Sequence, residues 1–273
     1  RLVVAFVAEF SRGKTELINA LFFSNHGQRL LPSEAGRTTM CPTELFSLAD
    51  EGPSLQLLPI ETRRREESLA RLKHMPIEWS QIPLDPADPR QLQESLKKLT
   101  ETKPMAAVDA IEMGLWDAED PAERHLLQDD GTVEVPAWRY ALVNYPHPLL
   151  QAGLTVLDTP GLNALGAEPE LTLAVIPSAH AVMYLLATDT GVTRSDLEIW
   201  QKHVHRHANF HVAVLNKIDM LWDELRTDSE VQASIERQAE DTARVLKLPR
   251  SRVFAVSAQK ALAAAVRGDA ELR

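Results

Sequence analysis

Leu2-Val3-Val4-Ala5-Phe6-Val7 runs straight into Ala8-Glu9-Phe10-Ser11-Arg12-Gly13-Lys14-Thr15, and this junction decides the fold. The first six residues are apolar without interruption, the pattern of a strand buried on both faces of a parallel sheet. Residues 9–13 are a polar loop, and Leu17, Ile18 and Leu21 then fall on one face of a helix over about Lys14–Phe23. Strand, loop and helix in that order put backbone N–H groups and a helix N-terminus where an anion can sit. Lys14 adds a charge able to reach β- and γ-phosphates, and Thr15 adds a hydroxyl for magnesium. Ala8 stands where the phosphate-loop pattern has its first glycine. Alanine resists positive φ, so the loop entry differs at that point.

Two further signals follow in the order such a site needs. Asp158-Thr159-Pro160-Gly161 comes directly after the apolar run Leu154–Leu157. A carboxylate at the carboxyl end of a strand beside the phosphate loop can hold magnesium through water, and the Gly161 N–H can sense a γ-phosphate. Asn216-Lys217-Ile218-Asp219 comes after the run His211–Leu215. The Asp219 carboxylate can accept from both N1–H and the exocyclic amine of guanine, a pattern adenine cannot donate, so the expected ligand is GTP or GDP. Asn216 braces this loop and the Lys217 stem covers the base. Ser257-Ala258-Gln259, after the last strand, offers a backbone N–H to guanine O6.

Between these signals the chain alternates strand and helix: strand Ala181–Leu186, helix Ser195–Val204, strand His211–Leu215, helix Ser229–Leu246, strand Val253–Val256, helix Lys260–Val266. Further strands are expected at Glu44–Leu48, Leu55–Ile60 and Val133–Val143. This predicts an α/β fold with a doubly wound, mainly parallel sheet, filling one domain over residues 1–273. Residues 25–42 lack periodicity and read as a long loop. From Thr62 to about Leu127, Leu recurs at helical spacing among charges, in Arg63–His74, Gln91–Thr100 and Pro104–Trp116. This stretch is expected to be a helical insertion between the two switch regions.

The formal charge of −10 argues against a nucleic-acid partner, which needs a basic field. The lone Cys41 excludes an internal disulfide and fits a cytoplasmic setting. Pro177 and His180 interrupt the longest apolar stretch, Leu171–Ala187, so it reads as a helix end and a buried strand. The chain opens at Arg1 directly on a strand, which reads as a piece of a longer protein. His203, His205, His207 and His211 are spaced by two along a helix, which points them to different faces and favours packing over a metal site. Trp138 and Tyr140 read as packing groups.

The sequence resembles the dynamin-like large GTPases, in their bacterial branch. The resemblance rests on Glu9-Phe10-Ser11-Arg12-Gly13-Lys14-Thr15-Glu16-Leu17-Ile18-Asn19-Ala20-Leu21, on Leu31-Pro32 with Thr38-Thr39 and Pro42, on Asp158-Thr159-Pro160-Gly161-Leu162-Asn163, and on Asn216-Lys217-Ile218-Asp219. It implies a P-loop GTPase domain in which Glu9 through Glu16 surround the phosphates. It also implies that Thr39 closes on magnesium with Thr15 and Asp158; Thr38 and Thr43 stay open as alternatives. Leu162 stands where small signalling GTPases orient water with glutamine. The resemblance therefore implies hydrolysis assembled by Ser11, Lys14, Gly161 and a K+ or Na+ ion when two such domains meet face to face. Arg12 could add a charge in cis, or be an ordinary solvated loop arginine. Membrane contact, at the inner face of the membrane, would come through regions outside this chain. The alternative is a GTP-binding switch or scaffold with little hydrolysis.

Overall fold

A computed structural model describes residues 1–32, 41–65, 67–121, 123–160, 176–205, 210–223 and 225–268. Its centre is the first strand, β1 (Leu2–Ala8), as the unbroken apolar run requires. Ala5 and Val7 face one layer of core while Phe6 and Ala8 face the other, all buried. The remaining strands, in chain order, are β2 (Thr43–Phe46), β3 (Ser54–Pro59), β4 (Ser80–Pro83), β5 (Thr102–Ala106), β6 (Thr132–Pro136), β7 (Trp138–Asn144), β8 (Leu154–Asp158), β9 (Ala181–Ala187), β10 (Phe210–Asn216) and β11 (Val253–Ala255). The main sheet runs β11-β10-β9-β1-β8-β2-β7-β3-β4. From β11 to β8 every neighbour is parallel. β2 is antiparallel to β8 and parallel to β7, and the β3 and β4 edge is antiparallel. The sheet is therefore mainly parallel, as expected.

Helices cover both faces. On one, Ile199 and Trp200 pack with Ala239, Ala243 and Leu246 of the helix Asp228–Leu246 against Tyr184, Leu186 and Leu215. On the other, Leu17, Ile18 and Phe22 of α1 (Lys14–Phe22) pack with Leu92 and Leu96 against Phe6, Val156 and Leu185. The fold is doubly wound. Because β1, β8, β9, β10 and β11 are parallel, their carboxyl ends share one edge, and each sequence signal lies at that edge.

The insertion departs from expectation. Only Pro89–Lys97, capped by the Asp88 carboxylate, is a helix of the expected kind. Arg63–His74 shortens to a 3₁₀ turn and the four-residue helix Leu69–Leu72. Pro104 lies not in a helix but in β5, which pairs with β6 as a separate two-stranded sheet before the short helix Ala107–Glu112. Exposed and half-buried residues alternate through β5, a strand period that the Leu spacing obscured. β4 joins the main sheet instead of a helical layer. The single strand expected over Val133–Val143 is two, because Pro136 has no N–H to carry the ladder across Ala137. Tyr140 is fully buried, as a packing group should be. Helix Arg194–Ile199 continues into a π-turn at Trp200–Val204.

Burial lowers the pKa of His26, His147 and His211 from the ordinary 6.5. His211 sits against Trp200 with its Nε2 3.0 Å from the Val204 carbonyl. The folded chain thus binds these protons less readily than the unfolded one. Their contribution to stability is full above 6.5 and is lost as pH falls through that value towards the depressed folded ones. The melting temperature should fall between about pH 7.5 and pH 5.5, and His211→Gln should flatten that slope. A slope unchanged by the substitution would remove His211 from the account.

Candidate functional site

The phosphate loop turns through two left-handed residues, Ser11 (φ 64°) and Gly13 (φ 83°), before α1 begins at Lys14. Positive φ at Gly13 suits only glycine well, and a second constraint acts there: a Cβ would collide with Asn216 Nδ2. Asn216 is buried at the carboxyl end of β10. Its Nδ2 donates to the Arg12 carbonyl at 3.0 Å, and its Oδ1 accepts the Ala258 N–H at 3.0 Å. One primary amide so joins the loops after β1, β10 and β11.

Lys14, Thr15 and Asp158 are buried together beside this loop. Lys14 Nζ pairs with Asp158 Oδ1 and donates to the Thr159 carbonyl. The Asp158 carboxylate is therefore set to accept a cation within reach of the phosphate loop. A hydroxyl and a carboxylate are the hard oxygen donors that magnesium prefers. Thr159 Oγ1 donates to the Phe6 carbonyl at 2.9 Å and holds the β8 exit to β1. Thr43 begins β2 opposite Asp158, with its hydroxyl donating to the Cys41 carbonyl at 3.2 Å. Thr38, Thr39, Gly161 and Leu162 lie outside the described residues.

Asp219 is half-buried, and the Ser257 hydroxyl donates to its Oδ1 at 2.5 Å, fixing the carboxylate. Ser257 also caps helix Ala258–Arg267 by accepting the Lys260 N–H. Lys217 adopts left-handed φ, its carbonyl accepts from Thr188 Oγ1 at 2.6 Å, and its ammonium meets Asp189 at 2.9 Å. Gln259 is exposed beside this loop.

Two expected site residues turn elsewhere. Glu16 takes a bidentate contact from Arg29, so its carboxylate faces the helix flank. Arg12 is neither a solvated loop residue nor a free finger: it is 6% exposed, and its guanidinium is committed to Asp196, Thr190, Thr193 and Glu9. A buried guanidinium with two carboxylate partners cannot swing out without exposing both charges unpaired. Ser11 and Phe10 are exposed. The sequence reading missed Asn19, fully buried in α1, whose amide holds Leu30 and Leu31 through three hydrogen bonds of 2.9–3.2 Å. The available signal was an asparagine on the buried face of a helix, where it needs partners. Asp196 and Thr193 were missed too, although Thr-x-x-Asp is a capping-box spacing.

Residues 4–218 match the family model for the dynamin family. A bacterial dynamin-like protein of Nostoc punctiforme is 29% identical over 125 residues, 43% of this chain and 18% of that protein. The isoniazid-induced protein IniA of Mycobacterium tuberculosis is 36% identical over 88 residues, 30% of this chain and 13% of that protein. Either match spans less than a fifth of the relative's length. A chain of an oligomerised bacterial dynamin pair, described as a mechanism for long-range sensing and tethering of membranes, superposes with a TM-score of 0.53 at 13% identity, over 97% of this chain and 34% of that one. This is a likeness of fold.

Gly13→Ala should weaken guanine-nucleotide binding by about tenfold or more, through both the φ penalty and the collision with Asn216. Titration of a fluorescent GDP analogue reads the loss, and wild-type affinity in the variant would show that the close approach is unimportant.

Proposed function

The chain belongs to the dynamin family, and from that premise we propose that it binds GTP and hydrolyses it to GDP and phosphate. The observation that carries this reading is the Asn216 bridge, which joins the phosphate loop to the two loops that hold Asp219 and Ala258. A phosphate cradle and a base reader fixed by one amide suit a nucleotide lying across the strand ends. Backbone N–H groups of Ser11 to Thr15 would hold the β-phosphate, with Lys14 on the β- and γ-phosphates. Thr15 and Asp158, with Thr39, would hold Mg2+, which neutralises charge developing on the phosphoryl oxygens. Asp219, held by Ser257, would accept from N1–H and the exocyclic amine of guanine. The Ala258 N–H is already given to Asn216, so guanine O6 would meet the Gln259 N–H in the first helical turn.

Leu162 offers no polar group to orient water, and Arg12 is committed to Asp196. These two facts favour a low basal rate and keep open the second reading, a GTP-dependent switch or scaffold. In the first reading a second copy of the domain, meeting this one across the nucleotide face, completes the site, with Ser11 and a K+ or Na+ ion contributing. Among the described residues no helix is long and apolar enough to cross a membrane. Coupling to membrane remodelling, at the inner membrane face, would fall to parts of the protein outside this chain. The charge of −10 disfavours a nucleic-acid partner.

Phosphate release, read with malachite green, should fall by about 100-fold in Lys14→Ala, and the turnover per molecule should rise with protein concentration. A flat specific activity rules out the dimer-assembled site while leaving binding intact. Asp219→Asn should lose about 100-fold in GTP affinity and gain for xanthosine triphosphate, whose exocyclic oxygen accepts where guanine donates. Unchanged preference would sink the guanine assignment.

A further inference from the structure

Thr193 and Asp196 open helix Arg194–Ile199 with a capping box: Thr193 Oγ1 accepts the Asp196 N–H at 3.1 Å and Asp196 Oδ2 accepts the Thr193 N–H at 3.0 Å. The cap needs no third party, yet the fully buried Asp196 also accepts Arg12 Nη2 at 3.0 Å and Nε at 3.4 Å. Arg12 Nη1 donates to Thr190 Oγ1 at 2.9 Å, and Nη2 pairs with Glu9. The other Glu9 oxygen accepts the Ser195 hydroxyl at 2.6 Å. Two carboxylates thus share one guanidinium, and both Glu9 and Arg12 lie in the loop that must admit a polyphosphate. Formally the cluster carries one negative charge, and it would carry two without Arg12. Tyr184, whose hydroxyl donates to the Asp196 carbonyl at 2.8 Å, registers this field: its pKa is pushed up first by burial, then by the Asp196 and Glu9 charges. The segment that receives Arg12 also holds the base reader, through Thr188 and Asp189 on Lys217.

We propose that Arg12 is a positioning residue of the nucleotide site, cancelling the Glu9 and Asp196 charges beside the phosphates while tying the Ser11–Gly13 turn to residues 190–196. Its side chain acts through the loop and the local field and does not touch the nucleotide. The proposal rests on the GTP-binding reading above. It differs from a purely structural role because the field discriminates among nucleotides by charge: an uncancelled carboxylate penalises GTP more than GDP.

The test is a double-mutant cycle on this chain, with GTP and GDP affinities measured by titration calorimetry and folding checked by circular dichroism. Arg12→Gln should weaken GTP by about tenfold or more and GDP by less, and adding Glu9→Gln should restore most of the GTP loss. Glu9→Gln alone keeps the arginine and its cap partner. It removes one negative charge and should raise the GTP-to-GDP affinity ratio, so it decides the matter even if Arg12→Gln does not fold. Equal losses for both nucleotides, or an unchanged ratio in Glu9→Gln, overturn the proposal. Failure of the wild type to bind either nucleotide overturns instead the GTP-binding reading.

Discussion

The Asn216 side chain is the interaction on which the site depends. A primary amide has a donor end and an acceptor end, and here the donor goes to the Arg12 carbonyl and the acceptor to the Ala258 N–H. Neither end can be exchanged without leaving a buried backbone group unpaired, at about 1–3 kcal/mol each. The geometry also dictates the residue opposite: Asn216 lies so close to the phosphate loop that only glycine fits at position 13. One constraint therefore selects an asparagine on β10 and a glycine after β1, 203 positions apart.

What makes that bridge possible is the parallel centre of the sheet. β1, β9, β10 and β11 deliver their carboxyl ends to one edge in strict neighbour order. Their core-facing residues alternate between two covered faces, so a register slip of one would exchange two packed cores. The loops inherit their positions from this register. Short polar ties then remove the residual freedom: Thr159 to Phe6, Thr188 to Lys217, Ser257 to Asp219.

These central features were legible in the sequence for a physical reason. Strands buried on both faces are continuous apolar runs, and a chain that leaves such a strand for a helix through a glycine advertises the turn. The insertion was less legible because its strands are short and at edges. β5 carries Pro104 and alternates exposed with half-buried side chains, none of them buried, so the Leu-rich spacing around it suggested helix. Arg12 was misread for a different reason. Its partners Asp196, Thr190 and Thr193 lie more than 175 positions away, and no local pattern tells a solvated arginine from one that completes a distant cap. Asn19 was overlooked because its partners are a later loop's backbone, which carries no side-chain signature.

The division between binding and turnover follows from where the constraints lie. The ties that fix the phosphate loop and the loop of Asp219 are buried or half-buried and made within the chain: Asn216, the Arg12 cluster, the Ser257–Asp219 bond. Such groups act on bound substrate and transition state alike, which sets affinity rather than rate. Groups that discriminate the transition state must instead meet the γ-phosphate and the attacking water. Leu162, outside the described residues, has an apolar side chain, and the Arg12 guanidinium is held by Glu9 and Asp196.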